Sequence, residues 1–386
     1  MRTADGRIYL DHAATTPLAA EALEAMLPWF RDQFGNSETL YSEGAKARFA
    51  VESSREVVAD ALQVDPSEIY FTSGGTESNN WAVKGTAQYS GSARRHILIS
   101  ATEHKSVLES AASLQHLGFQ IEHIPVNSNG VVEPEYLRTR INRDTCLVSV
   151  HHANNETGVI QPIAEIADVC RTNGTLLHVD AVQTFLKLTE CSAAALGADL
   201  ITLSAHKVYG PKGVGALWIR RGVPVLPHQC GGSQERGMRG GTLNVPGIVG
   251  FAAAVNRLKD RYADLAAVMA HIRSVLEDHL TADPAITVTA AQSERVPHIT
   301  HLTVENLEAE PLLLSLDMEG VSVGAGSACS SGSTEPSHVL RAMGMPLERA
   351  RGALRFSLGE NTTEADAVEV AQTLHRIVPE LRQLGI

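Results

Sequence analysis

Short apolar runs alternate with helix-patterned segments from residue 69 to residue 207, and this alternation limits the possible folds more than any other feature of the chain. Runs at 69–72, 96–100, 119–126, 146–150, 176–180 and 200–203 have the length and composition of buried strands. Helical spacing is expected over 76–89, 104–117 and after Pro162. Strands separated by helices of ten or more residues predict a mostly parallel sheet with helices on its faces, the α/β class. Ligands of such sheets collect at the carboxyl ends of the strands.

Ahead of this region the sequence predicts a short strand at 8–10, a polar loop, a helix from about Pro17 to Phe34 and a second helix over 42–62. After about Arg257 the pattern changes. A long helix through Leu280, strands at 299–304 and 321–323, a helix over 310–318 and a last helix from Glu364 toward Leu384 predict a smaller α+β unit. The expected organisation is a large domain over 15–258 and a small domain made of 1–14 and 259–386. A chain of 386 residues has room for both.

The formal net charge of −12 argues against a partner gripped by bulk positive charge, so direct nucleic-acid binding is not expected. No apolar run approaches the roughly 20 residues of a membrane span, and the residues after Met1 carry no signal-type apolar core. The expectation is a cytoplasmic protein without a membrane partner. Cys146, Cys170, Cys191, Cys230 and Cys329 are scattered, with no Cys-x-x-Cys pair, which suggests neither a disulfide framework nor a zinc knuckle. The pairs His151/His152 and His298/His301 lack supporting ligands at metal spacing, so no metal site is expected.

Several strand ends carry chemistry. Ser204-Ala205-His206-Lys207 follows the run 200–203 and is followed by Gly210-Pro211-Lys212-Gly213. A lysine at a strand end can meet a carbonyl compound, although a surface lysine on a loop has the same sequence appearance. Ser73-Gly74-Gly75-Thr76 follows a strand and opens a helix, a place where free N–H groups and glycine admit a phosphate; a capped helix start is the other reading. Asp180 ends another strand, with Gln183 three residues on. The carboxylate can hold a pyridinium nitrogen protonated and the amide can bond a phenolate, or Asp180 is an N-cap. His104 follows the run 96–100, where an imidazole can stack on a ring and move protons or serve only the structure. A phosphate cradle, an acid for a ring nitrogen and a candidate Schiff-base lysine on one sheet are the parts list for pyridoxal 5'-phosphate. Cys329 lies in a run of small residues, about 324–333, without helix or strand pattern, which favours a nucleophile. Arg355 suits a substrate carboxylate or a structural ion pair equally.

These motifs resemble those of the cysteine desulfurases of the NifS/IscS-like family, in the class V aminotransferase group of fold-type I PLP-dependent enzymes. The resemblance runs through Asp11-His12-Ala13-Ala14-Thr15-Thr16, Ser73-Gly74-Gly75-Thr76-Glu77-Ser78-Asn79, Thr102-Glu103-His104 and Asn154-Asn155-Glu156-Thr157-Gly158. It continues through His178-Val179-Asp180-Ala181-Val182-Gln183, the Lys207 stretch, Gln234-Glu235-Arg236-Gly237, Gly326-Ser327-Ala328-Cys329 and Arg355-Phe356-Ser357. It implies that Lys207 carries PLP, Asp180 meets the ring nitrogen, Gln183 the ring hydroxyl and His104 the ring face. It further implies that Gly75, Thr76, Ser204 and His206 hold the phosphate, and that Thr242 reaches the phosphate of a partner subunit, hence a homodimer. Asn155 and Arg355 are then expected to take the carboxylate of L-cysteine.

By the same resemblance Cys329 accepts the sulfur as a persulfide, leaving L-alanine. The sulfur then passes to acceptor proteins for iron–sulfur cluster assembly, tRNA thiolation or DNA phosphorothioation. Selenocysteine lyase, or another class V aminotransferase-type enzyme, is the alternative on this fold, and a scaffold that docks sulfur-relay proteins is the alternative outside catalysis. Gly324-Ala325 stands where relatives often have serines, and Tyr41 where many have histidine.

Overall fold

The computed structural model describes residues 1–325 and 337–384; Cys329, with positions 326–333 of its loop, lies outside the described residues. A short strand β1 (Ile8–Tyr9) precedes a seven-stranded sheet made of β2 (Ile69–Thr72), β3 (His96–Ser100), β4 (Gln120–Ile124), β5 (Thr145–His151), β6 (Leu176–Asp180), β7 (Leu200–Ser204) and β8 (Gly215–Ile219). Their order across the sheet is β2-β8-β7-β6-β5-β3-β4. Pairing is parallel from β7 through β4, and β8 runs antiparallel to both β2 and β7. The fold is therefore α/β with a mostly parallel, mixed sheet.

Strands covered on both faces must be apolar on both faces, which explains their continuous rather than alternating character. Leu98, Val148, Val150, Ile201 and Leu203 enter one core, while Ile97, Ile99, Leu147 and Leu200 enter another on the opposite face. Alternation along a strand sends neighbours to opposite sides. Only β4 presents exposed positions, at Gln120 and His123, as befits a sheet edge.

Helices occupy Ser42–Leu62, Gly75–Ser90, Ile163–Thr172 and Glu364–Leu384, close to expectation. The first helix is shorter than expected, Ala20–Arg31, because the preceding residues bond to the Lys207 segment: Ala19 N–H donates to Tyr209 O at 2.9 Å. The segment expected to be one helix over 104–117 divides into a helix at Lys105–Ala112 and a single turn at Gln115–Leu117. The helix Val245–Leu258 had no sequence-level counterpart. It packs on the helices Ala20–Arg31 and Ser42–Leu62 and is apolar nearly all round, so it shows little amphipathic stripe. Gly250 permits the contact, since a Cβ there would lie 2.5 Å from Met26 Sδ.

A separate core gathers around three antiparallel strands, with β10 (Ile299–Val304) between β9 (Ile286–Val288) and β12 (Ala353–Ser357). The helix Tyr262–Leu280 and the last helix supply Leu276, Leu280, Leu374 and Val378 to it. Ile8 and Leu10 belong to this core too, and β1 pairs in parallel with β11 (Val321–Ser322).

A buried ion pair ties the helix Ser42–Leu62 to the loop after β8. Arg55 donates to Glu235 through Nη1 at 2.7 Å and Nη2 at 2.9 Å, and Glu235 also accepts from Phe71 N–H at 2.9 Å. Both residues are buried. Removing Glu235 leaves the buried Arg55 with only the exposed Glu52 as its ion-pair partner, and the Phe71 donor loses its acceptor. Glu235→Ala is expected to lower unfolding stability by about 3–5 kcal/mol, measured as a fall in the urea midpoint.

Candidate functional site

The carboxyl ends of β2, β3, β5, β6 and β7 surround a cavity of about 570 Å³, closed on the other side by residues 13–15 and by Arg355 from β12. The turn after β2 needs its glycines. Gly74 has φ +149°, and a Cβ on Gly75 would lie 3.1 Å from Val182 and 3.6 Å from Ser204. A Cβ on Gly215 would stand 2.7 Å from Gly74 Cα, so β8 and the turn touch backbone to backbone. The helix starting at Gly75 directs its amino-terminal turn to the cavity, with Thr76 on the lining.

Ser204, buried at the end of β7, has a hydroxyl oxygen with no hydrogen-bond partner among the described residues. His206 bonds Thr15 Oγ1 through Nδ1 at 3.1 Å. Burial and the neighbouring Lys207 charge push its pKa down to about 4, so it is neutral near pH 7. Lys207 donates to Ala13 O and Ala14 O, each at 2.6 Å, which holds its amine at the cavity wall.

Asp180 is buried, and its carboxylate accepts from Asn79 Nδ2 at 2.7 Å and from Val182 N–H at 3.0 Å. The second bond is an Asx turn; no helix begins at Asp180, so its carboxylate caps a turn and not a helix. Asn79 also donates to Ser106 Oγ at 2.9 Å, and that hydroxyl lies 2.7 Å from His104 Nδ1. Ser106 N–H donates to the same His104 nitrogen at 3.1 Å. Nδ1 is therefore an acceptor, and the neutral ring carries its proton on Nε2. Burial lowers the His104 pKa, opposed by the Asp180 charge. The result is an imidazole that is a neutral N–H donor near pH 7.

Gln183 lines the cavity and donates through Nε2 to Ala13 O at 3.0 Å. Arg355 is buried, donating to Asn155 O at 2.8 Å and to Asp11 Oδ1 at 2.7 Å. The ion-pair reading of Arg355 holds, since it is paired with Asp11, and the side chain also lines the cavity together with Asn155.

The structure thus brings Gly75, Thr76, His104, Asn155, Asp180, Gln183, Ser204, His206, Lys207 and Arg355 around one cavity. Thr242 is exposed and does not line it. Sequence reading gave no role to Asn79 or Ser106. Asn79 stands one helical turn after Gly75, on the same helix face, which was the available signal. Ser106 follows His104 by two residues in a capping turn. Glu103 carries no role assignable from sequence alone. Its carboxyl is fully buried and pushed well above the usual range by burial and the Asp180 charge, and it accepts from His151 N–H.

Five strand ends meeting a lysine, a carboxylate and a glycine turn define an α/β enzyme for amino-group chemistry, and the chain belongs to the aminotransferase class-V family, whose profile matches residues 8–370. Within that family it is a cysteine desulfurase of the NifS/IscS-like kind. It is 42% identical to the cysteine desulfurase IscS of Dictyoglomus turgidum, over 98% of this chain and 96% of that protein. A solved NifS-like protein superposes with a TM-score of 0.91 at 38% identity, covering 97% of this chain and 99% of the other. A structure described as SspA in complex with cysteine matches with a TM-score of 0.82 and 34% identity over 92% of this chain and all 100% of that one.

Cysteine desulfurases of this family are PLP enzymes, and the donor set suits that cofactor. The lone Ser204 hydroxyl and the glycine turn at a helix start fit a phosphate. Asp180 fits a protonated ring nitrogen, and Lys207 fits the aldehyde carbon. Among the described residues no group of three or more His, Cys, Asp or Glu side chains is arranged to hold a metal ion, and no helix is long and apolar enough to cross a membrane.

Proposed function

We propose that this chain binds PLP in the cavity and L-cysteine above it, and transfers the substrate sulfur to Cys329. The observation that carries the proposal is the convergence on one cavity of Lys207, Asp180, His104 and an unpartnered Ser204 hydroxyl, from strand ends far apart in sequence. Bound there, the cofactor supplies an electron sink for the pair released at the amino acid's Cα. Gly75, Thr76, Ser204 and His206 hold its phosphate, Asp180 its ring nitrogen and Gln183 its ring hydroxyl. Arg355 and Asn155 orient the substrate carboxylate, Arg355 reaching it from the Asp11 ion pair. Lys207 removes the α-proton. His104 presents its Nε2–H to the substrate and exchanges protons with it, its tautomer held by Ser106.

Cys329, as thiolate, forms an S–S bond to the substrate sulfur while the Cβ–S bond breaks. The electron pair stays on carbon, which is protonated and leaves as L-alanine, and a persulfide remains on Cys329. The sulfur balance needs no external oxidant. Acceptor proteins of iron–sulfur assembly, tRNA thiolation or DNA phosphorothioation then take the terminal sulfur.

A second copy of the chain completes the molecule in this reading. Phe30, Phe34, Leu40, Tyr41 and Phe49 are exposed within twenty positions of one another, a concentration that supports a covered face. Thr242, exposed in one chain, then reaches the phosphate in the other. The small core and its amino-terminal strand act as the second domain, with the boundary at 258.

The test is to incubate the purified chain with PLP, reduce it with borohydride and map the modified peptide. The expected result is one cofactor per chain, fixed to Lys207. A modified residue elsewhere, or no visible absorption band before reduction, overturns the assignment.

A further inference from the structure

Lys187 is a buried amine that the desulfuration steps leave unused. Among the described residues no carboxylate lies within ion-pairing distance of it. Its Nζ sits 3.5 Å from Gln183 Oε1 and 3.5 Å from His298 Nε2, and His298 Nε2 is itself 3.4 Å from Gln183 Oε1. Every other buried cation of the core is paired, as Arg55 is with Glu235 and Arg355 with Asp11. A desolvated amine facing an amide and an imidazole is costly, which asks for a reason.

Donor and acceptor chemistry supplies one. Ala13 O can only accept, so the Gln183 end facing it at 3.0 Å is the NH₂ group. The other end, facing Lys187, is then the carbonyl oxygen, to which the lysine amine donates whether charged or neutral. The two contacts from opposite sides fix which way the amide points. They leave the second Gln183 N–H without a protein acceptor among the described residues, on a side chain that lines the cavity. A donor at the amide oxygen also polarises the amide and strengthens that N–H.

We propose that Lys187, acting through the Gln183 amide, is a positioning residue that sets the proton affinity of the Lys207–cofactor linkage. The inference rests on the reading of the cavity as a PLP site. Two effects have the same sign. A strengthened N–H on the ring hydroxyl oxygen withdraws electron density from the linkage, and below about pH 7, where Lys187 is charged, a cation nearby disfavours a further positive charge. Both favour the unprotonated linkage, the form that a substrate amine in its protonated state can enter.

The titratable groups around Lys187 are His12, His298, Tyr209 and Glu360, which line a small internal cavity with it, and Lys207 and His206 toward the main cavity. Burial pushes His12 and His206 down to about 4 and His298 well below its ordinary value, so the three imidazoles stay neutral above pH 6. Burial raises Tyr209, which therefore stays protonated. Lys187 itself is lowered to about 7 by burial, then by Lys207.

The experiment loads wild type, Lys187→Met and Lys187→Gln with PLP and titrates the visible absorption band with pH, alongside equilibrium dialysis of the cofactor and a melting curve. Lys187→Met should raise the band's pH midpoint by about one unit, a tenfold change in proton affinity, and weaken cofactor retention. Lys187→Gln keeps a donor without the charge and should fall between the two. If methionine at 187 prevents folding, a raised midpoint in the glutamine variant supports the proposal by itself. Variants that load PLP and melt lower but keep the wild-type midpoint show a purely structural lysine and overturn it. A wild type without the band overturns the cofactor reading, and the inference goes with it.

Discussion

Lys207→Ala is expected to release no L-alanine from L-cysteine above background, a loss of about 10⁴-fold or more. The amine lies just past the end of β7, donating to Ala13 O and Ala14 O. Lys187 is enclosed behind Gln183, and Lys105 and Lys212, which also line the cavity, stand on the helix after β3 and in the Gly210–Gly213 turn rather than at the end of β7. In the proposed function, truncation removes both the attachment point and the base. The fold should persist, because the strand before Lys207 is buried independently of the amine and the two carbonyls can bond water in the open cavity. Coupled measurement of alanine, with circular dichroism to verify folding, separates this loss from unfolding. Alanine production within tenfold of the parent would mean that another amine does the work.

Cys329→Ser is expected to lower alanine formation by at least about 10³-fold while leaving cofactor binding intact. The other cysteines show why no substitute exists. Cys146, Cys170 and Cys191 are buried, and burial pushes their thiols up to about 11, 12 and 12, so none is a thiolate near pH 7. Cys230 is exposed but does not line the cavity. A serine hydroxyl cannot accept sulfur with its pair, so the Cβ–S bond remains unbroken. Cofactor loading measured on the same variant distinguishes a missing nucleophile from a damaged site.

The sheet was legible because its strands are buried on both faces and separated by helices, which leaves a run-and-gap signature in the sequence. β8 was not, since an antiparallel return strand five residues long, next to the glycine-rich turn, carries no helix to announce it. The helix Val245–Leu258 was hidden by its surroundings: packed on two other helices, it has almost no polar face. Glu364–Leu384, one face of which is solvated, was legible from end to end.

The site divides along the same line. Lys207, Asp180 and the Ser73–Thr76 turn each stand at a strand end, where topology predicts ligands, so local sequence sufficed to place them at the cavity. Asn79 bonds Asp180, Ser106 bonds His104 and Lys187 faces Gln183 from elsewhere in the fold, at distances of 2.7, 2.7 and 3.5 Å that a linear sequence does not contain. The Arg355–Asp11 pair is similar: two residues 344 positions apart meet because β12 and the amino-terminal segment flank one cavity.

The most direct test of the sulfur-transfer account is to mix the PLP-loaded chain with one equivalent of L-cysteine, quench with an alkylating agent, digest and weigh the peptides while counting alanine. The account predicts one additional sulfur atom on the peptide that carries Cys329, matched one for one by L-alanine. Alanine formed with no added sulfur on Cys329, or with the sulfur on Cys230, would contradict it.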